Sequence, residues 1–265
     1  CMSVFEVKVF ECSQAESPLV ISVPHDGALI PEDIRANMTP AFQNSSDRDY
    51  LISEVFDFEG LAYSKIVANY SRHVIDLNRP ASGQTLYTNQ AETELCPTST
   101  FDHQDLYLPG KQPNQDEINR RIETYWRPYH QQLQQLIHAA KARFGFCLLI
   151  DAHSIDDEVP RFFDGQLPDI NVGTYAGQSC ASEYEQTVQQ ALEQQTEFSH
   201  VFNGRFQGGF ITRHYGQPEN NIHAIQLEHA KSAYLDKRLN LSVRCSALQD
   251  FWLSTLKKLL LVHKN

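Results

Sequence analysis

The fold turns on "PLVISVPHDG", residues 18–27. Leu19 to Val23 form an apolar run in which Ser22 is the one polar residue, the pattern of a strand covered on both faces rather than washed by solvent on one. The run stops at Pro24, and a histidine and an aspartate then stand side by side ahead of a glycine. Two further stretches, "SRHVIDLNRP" (71–80) and "FGFCLLIDAHS" (144–154), have the same form. All three read as buried strands that end in polar residues. In an open α/β sheet ligands sit just beyond strand ends, so the shared ending is a functional sign as well as a structural one.

Other segments complete the sheet. "FEVKVFEC" (5–12) alternates as a strand does. "GGFITRHYG" (208–216) and "IHAIQLEHA" (222–230) read as short strands, the second with Ile225 and Leu227 on one face and Gln226 and Glu228 on the other. Helices are predicted between them. "SSDRDYLISEVFDF" (45–58) opens with capping residues. Asn114 to Phe144 carries a long apolar stripe, with Asn114 and Glu117 placed as a capping box and a kink expected at Pro128. Ser182 to Gln195 and Asp236 to about Val262 read as two more. Residues 81–113 lack periodicity, and so long a connection suggests a functional loop or lid.

These elements predict a single α/β domain over residues 1–265, with a mixed central β-sheet between helices on both faces. The formal charge of −11 and the lack of a Lys/Arg-rich run exclude a nucleic-acid or anionic-membrane surface as the working face. In so acidic a chain an anionic ligand requires arginines gathered locally. The six cysteines are scattered and form no C-x-x-C pair, which predicts reduced thiols and a cytoplasmic setting. No apolar run approaches the ~18 residues of a membrane span, and the N-terminus lacks a basic-then-apolar export pattern. Cys1 precedes Met2, so Met2 is the expected natural start.

Four residues at element ends are suited to metal: His25, Asp47 or Asp49, and His153. A hydrolytic zinc site uses three His and Asp/Glu ligands and leaves a position for water. Each residue has an ordinary structural reading taken alone; it is the grouping at strand and helix ends that points to a site. A base is still needed to move the proton, and Glu228, on the polar side of an otherwise apolar strand, suits it. Its neighbour His229 reads as structural. Arg72 and Arg79 flank "HVIDLN", where Asp76 and Asn78 can orient them, and Arg213 follows a glycine pair. A guanidinium grips a carboxylate in bidentate fashion, as lysine cannot.

With "SVPHDG", "DRDYLISEVFDFEG", "RHVIDLNRP", "DAHS", "GGFITRHYG" and "IHAIQLEHA" in that order, residues 18–235 resemble the N-formylglutamate amidohydrolase family. That family is related to zinc carboxypeptidases and aspartoacylase, and "DLNR" also resembles the substrate-binding run of aspartoacylase. The resemblance implies a zinc-carboxypeptidase-like fold and a metal-dependent hydrolase of linear amides that acts on a small anionic N-acyl amino acid. N-formyl-L-glutamate is the expected substrate and histidine catabolism the setting. It implies one Zn2+ held by His25, His153 and an acidic third ligand, with Glu228 as base. The wider carboxypeptidase group carries that acid three residues after the first histidine, where this chain has Ala28. Asp49 is taken in preference to Asp47 and Asp26. Arg79 or Arg213 would stabilise the oxyanion and hold substrate carboxylates, with Arg72, Asn78 and His223 as further pocket residues. His/Asp ligands also accept other divalent ions. A deacylase for another N-acyl amino acid, a peptide or cell-wall amidase, and a non-catalytic binder of acidic metabolites are the competing expectations.

Overall fold

Among the residues that the computed structural model describes, 8–86 and 90–263, seven strands form one sheet. They are β1 (Phe10–Ser13), β2 (Leu19–Val23), β3 (Ser64–Ala68), β4 (Cys147–Ile155), β5 (Ile170–Gly173), β6 (His200–Phe202) and β7 (Ile222–Ala230), in the spatial order β1-β3-β2-β4-β7-β5-β6. β3, β2, β4 and β7 run parallel. β1 is antiparallel at one edge, and β5 is antiparallel to β7 and parallel to β6. The sheet is therefore mixed, as expected.

Alternation along the strands sorts side chains onto two covered faces. Leu19, Ile21 and Val23 of β2, Leu148 and Ile150 of β4, and Ile225 and Leu227 of β7 pack on one side with α3 (Ile52–Val55), α6 (Ser182–Gln194) and α8 (Val243–Val262). Val20, Leu149 and Ala224 face the other side, beneath α5 (Arg127–Phe144) and α7 (Phe210–Tyr215). Burial on both faces is why the segments that become β2 and β4 read as apolar runs. The short α1 (Glu32–Arg35), α2 (Ala41–Asn44) and α4 (Gln115–Arg121) complete the helices. Trp252 of α8 is fully buried and donates to His229 Nε2 at 2.9 Å, which accounts for His229 as a structural residue.

Several elements differ from the sequence reading, each for a local reason. "SRHVIDLNRP" is not a strand: Asp76 accepts from the Asn78 N–H at 2.8 Å, and Val74 N bonds Ser71 O, so side chain and turn capture the groups a ladder would use. The strand is β3, just upstream. "GGFITRHYG" forms α7, because Asn78 takes its first amides: Phe210 N bonds Asn78 O at 3.2 Å and Ile211 N bonds Asn78 Oδ1 at 2.8 Å. Within 45–58 only α3 is helical. Asp236 accepts the Arg238 and Asn240 amides in a turn, so the last helix starts later, capped by Ser242. Residues 5–7 of the first expected strand lie outside the described residues.

Where a kink is expected at Pro128, the helix carries a π turn over Ile122–Trp126, one residue ahead of the proline that lacks an amide to continue the ladder. Asn114 caps this helical stretch by accepting from Glu117 N, while Glu117 itself pairs with Arg120 and Arg121.

The chain leaves β2 for β3 on one side and reaches β4 on the other. Order therefore reverses between β2 and β4, where a crevice opens at the carboxyl ends. Gly27 sits there for a steric reason. A Cβ on it would lie 2.4 Å from the Tyr70 carbonyl oxygen, where segment 27–29 pairs closely with 69–71 through Leu29 N to Asn69 O and Ser71 N to Leu29 O. Gly27→Ala is expected to cost about 1–3 kcal/mol by overpacking against backbone. Urea unfolding checks this, as a lower midpoint at unchanged slope; an unmoved midpoint means that the contact relaxes freely.

Candidate metal centre and active site

Three elements deliver the central residues. Pro24 ends β2 and His25 follows; His153 lies near the end of β4; Asp49 sits on the turn before α3, its N–H bonded to His25 O at 3.1 Å. That turn passes through Leu51 in the left-handed region, at φ 59°. It is anchored by Asp26, which accepts from Leu51 N and Ser53 N, each at 3.1 Å, and pairs with Arg48 at 2.9 Å. Asp47 accepts from Phe101 N and from His73. Of the three aspartates weighed from sequence, Asp49 is therefore the one that joins the two histidines. His25, Asp49 and His153 each offer a ligand atom, all within 4.8 Å of one another, and all three residues are buried.

The outer nitrogens of both rings are engaged. His25 Nε2 lies 2.8 Å from Asp76 Oδ1, and His153 Nε2 lies 3.0 Å from Asp151 Oδ2. The Nδ1 atoms turn inward instead, 3.7 Å and 3.1 Å from Asp49 Oδ2. A carboxylate behind each imidazole fixes ring orientation and makes the inward nitrogen a better ligand. Asn78 joins the set by donating to Asp151 at 3.2 Å. Arg72 is shared between Asp76 at 2.8 Å and Asp49 at 3.5 Å, with its guanidinium over the Phe101 ring.

Two observations fit a cation here. Among the described residues, His25 Nδ1 and Asp49 Oδ1 are buried without a hydrogen-bond partner. The buried carboxylates Asp49, Asp76 and Asp151 also outnumber Arg72, the buried guanidinium that pairs with two of them. Burial opposes charge on His153, yet Asp151 and Asp49 override it and hold its pKa well above the ordinary value. Burial would likewise raise Asp49, but bonds from His153 and His25 hold it far below the usual carboxylate range. The pocket draws positive charge. The donor set of two imidazoles and a carboxylate is one that zinc accepts, with donors about 2 Å from the ion.

Glu228 faces this group. It is paired in register with His153 across β4 and β7 and lines the cavity above the trio. Burial pushes its pKa up to about 8, His153 opposing and Asp49 adding to the rise. Arg79 lines the same cavity, donating to Thr93 O at 2.9 Å and Asn78 O at 3.1 Å. The long loop contributes Ala91, Glu92, Thr93 and Phe101 to the wall.

Two pocket residues expected from sequence lie elsewhere. His223 stands at the start of β7, opposite Leu148 rather than His153. It accepts from Ala181 N and stacks on Tyr184, and burial pushes its pKa down to about 4. Five residues along a strand are about 16 Å, so it cannot reach the cavity. Arg213 does not line the cavity either; it donates to Gly208 O and Leu86 O and lies over Tyr175. The sequence reading missed Arg205, Phe162, Phe206 and Gln226, which do line it. The available cue for Arg205 was an arginine beside Gly204 and Phe206, just upstream of the glycine pair.

A model of the N-formylglutamate amidohydrolase family matches residues 17–235. The chain is 42% identical over 231 residues to an N-formylglutamate deformylase of Pseudomonas putida, covering 87% of this chain and 86% of that one. It is 41% identical over 238 residues to the N-formylglutamate deformylase of Pseudomonas aeruginosa, covering 89% of each. The crystal structure of an N-formylglutamate amidohydrolase from Ralstonia eutropha JMP134 superposes with a TM-score of 0.81 at 20% identity, over 96% of this chain and 98% of that one. A gene product from Agrobacterium tumefaciens superposes at 0.68 and 16% identity, over 97% of each chain. These two show a shared fold.

Asp151 gives a direct check on the centre. Asp151→Asn is expected to weaken zinc binding about 10–100-fold, measured by titrating zinc into metal-free protein calorimetrically. Unchanged affinity would mean that the carboxylate behind His153 does not tune the ligand.

Proposed function

The chain belongs to the N-formylglutamate amidohydrolase family, and from that premise we propose that it hydrolyses N-formyl-L-glutamate to formate and L-glutamate at a zinc ion held by His25, Asp49 and His153. The observation that carries this reading is the buried His25, Asp49 and His153 group with Glu228 on the wall beside it. When bound, zinc polarises a carbonyl and lowers the pKa of a water.

The chain's own residues do the rest. Glu228 takes a proton from the attacking water and returns it to the leaving amine nitrogen as the C–N bond breaks. Its raised pKa suits both halves of that task. Arg79, with Arg72 behind it, offsets the charge that develops on the carbonyl oxygen and holds substrate carboxylate. Asn78 keeps His153 and Asp151 in register. The aromatic wall of Phe101, Phe162 and Phe206 limits water, and Ala91, Glu92 and Thr93 of the long loop form part of the same wall. Kinship with zinc carboxypeptidases and aspartoacylase belongs to the same proposal, supported by "DLNR" (Asp76–Arg79), of which Asn78 and Arg79 line the cavity. A place in histidine breakdown follows from the proposed substrate, and a cytoplasmic setting is supported by the five free cysteines among the described residues.

Purified protein assayed with N-formyl-L-glutamate, N-acetyl-L-glutamate and formylated peptides tests the substrate. Turnover is expected to be highest on the first; preference for the acetyl compound or a peptide points to another deacylase. Glu228→Gln should lower kcat by about 10²–10⁴-fold while zinc content holds, and full turnover in that variant removes the base. Binding without turnover in zinc-loaded protein would leave only a metabolite-binding module.

A further inference from the structure

Gln226 and Glu228 sit two residues apart on the same face of β7, both buried and both on the cavity wall. The Gln226 carboxamide has two engaged ends. Gly209 N–H donates to Oε1 at 2.6 Å, and Nε2 lies 3.3 Å from Glu228 Oε2. The first contact dictates the second. A backbone N–H can only donate, so the amide oxygen must face Gly209 and the NH2 group must face Glu228. Glu228 Oε2 is thereby held as an acceptor. Among the described residues no hydrogen bond is made to Oε1.

Gly209 is itself set by the centre. A Cβ there would fall 2.3 Å from Asn78 Nδ2, so only glycine brings this amide against Gln226 while Asn78 stays packed behind His153 and Asp151. The terminal torsion of a glutamate is broad and roughly two-fold, so an untethered carboxyl would rotate freely and present either oxygen.

We propose that Gln226 is the positioning residue for the proton-transfer group: anchored by Gly209, it fixes the plane of the Glu228 carboxyl, occupies Oε2, and reserves Oε1 for the proton that moves between water and leaving nitrogen. This rests on the reading of Glu228 as the base.

The test compares Gln226→Met, which keeps length and removes both contacts, with Gln226→Glu, which keeps the acceptor for Gly209 and removes the donor. Each is made alone and with Glu228→Gln, in zinc-loaded protein with N-formyl-L-glutamate. Thermal midpoint and zinc stoichiometry are measured alongside; if the methionine variant fails to fold, the glutamate variant carries the test. Expected is a fall in kcat of about 10–100-fold, as for a misplaced catalytic group, with KM within about threefold and zinc content and midpoint unchanged. In the Glu228→Gln background no further loss is expected, since the tether then has nothing to hold. Three results overturn the proposal: an unchanged kcat, a raised KM at constant kcat, which would make Gln226 a substrate contact, or a full additional loss on top of Glu228→Gln. If Glu228→Gln itself retains turnover, the base assignment fails. An inactive Glu228→Gln beside fully active Gln226 variants sinks the positioning role alone.

Discussion

Asp49, Asp76 and Asp151 are all but sealed from water, and a carboxylate taken out of water costs several kcal/mol unless its charge is met by partners. Here the partners are two imidazoles and one guanidinium, and they do not suffice. That imbalance organises the crevice. It orients both histidines, fixes Arg72 between two acids, and leaves an inward-facing group of donors that could hold a cation. A hydrophobic crevice of the same shape would be as easy to fold. It would hold no ion.

The turn at 71–80 is where fold and chemistry meet. Asp76 binds His25 and Arg72 and closes its own turn through the Asn78 amide. Asn78 then caps α7 and reaches Asp151. Arg79, next in the chain, faces the cavity while its carbonyl accepts the Trp126 indole N–H at 2.9 Å. One irregular segment thus ties β2, β4, α7 and the helix behind the sheet into a single rigid floor. Catalytic and binding residues gather on loops that a scaffold holds still, and here the scaffold's grip is visible bond by bond.

Much of this was legible in the sequence because burial on two faces leaves a plain mark. β2 and the first half of β4 are largely apolar, β7 is apolar on one face, and His25, His153 and Glu228 are polar residues at or near the ends of these strands. Asp49 was harder. Asp26, Asp47 and Asp49 all precede or begin a turn, and what separates them is which backbone amides each satisfies, a property of the folded turn through Leu51. "SRHVIDLNRP" misled for a related reason: its apolar residues are buried, but a short-range bond from Asp76 outcompetes a strand ladder. α7 read as a strand because its helical start depends on Asn78, more than 130 residues away. Arg205 had only its place beside Gly204 and Phe206 to mark it, and Gln226 carries no local signal of its own; a buried glutamine on a strand reads as packing until the cavity beside it is seen.

The π turn at Ile122–Trp126 amounts to one surplus residue in an otherwise regular helix. Each residue of an α-helix advances the side-chain direction by about 100°, so that surplus sets the rotational phase between the helix's two halves. Losing one residue from this turn would yield a smoother rod, better by every local measure, while turning the half of the helix before it relative to Trp126, whose indole bonds the Arg79 carbonyl, and the residues that follow. Irregularity in this helix is thus a length requirement: homologous chains that keep the floor under Arg79 should tolerate many changes of letter between 122 and 126, and few changes in their number.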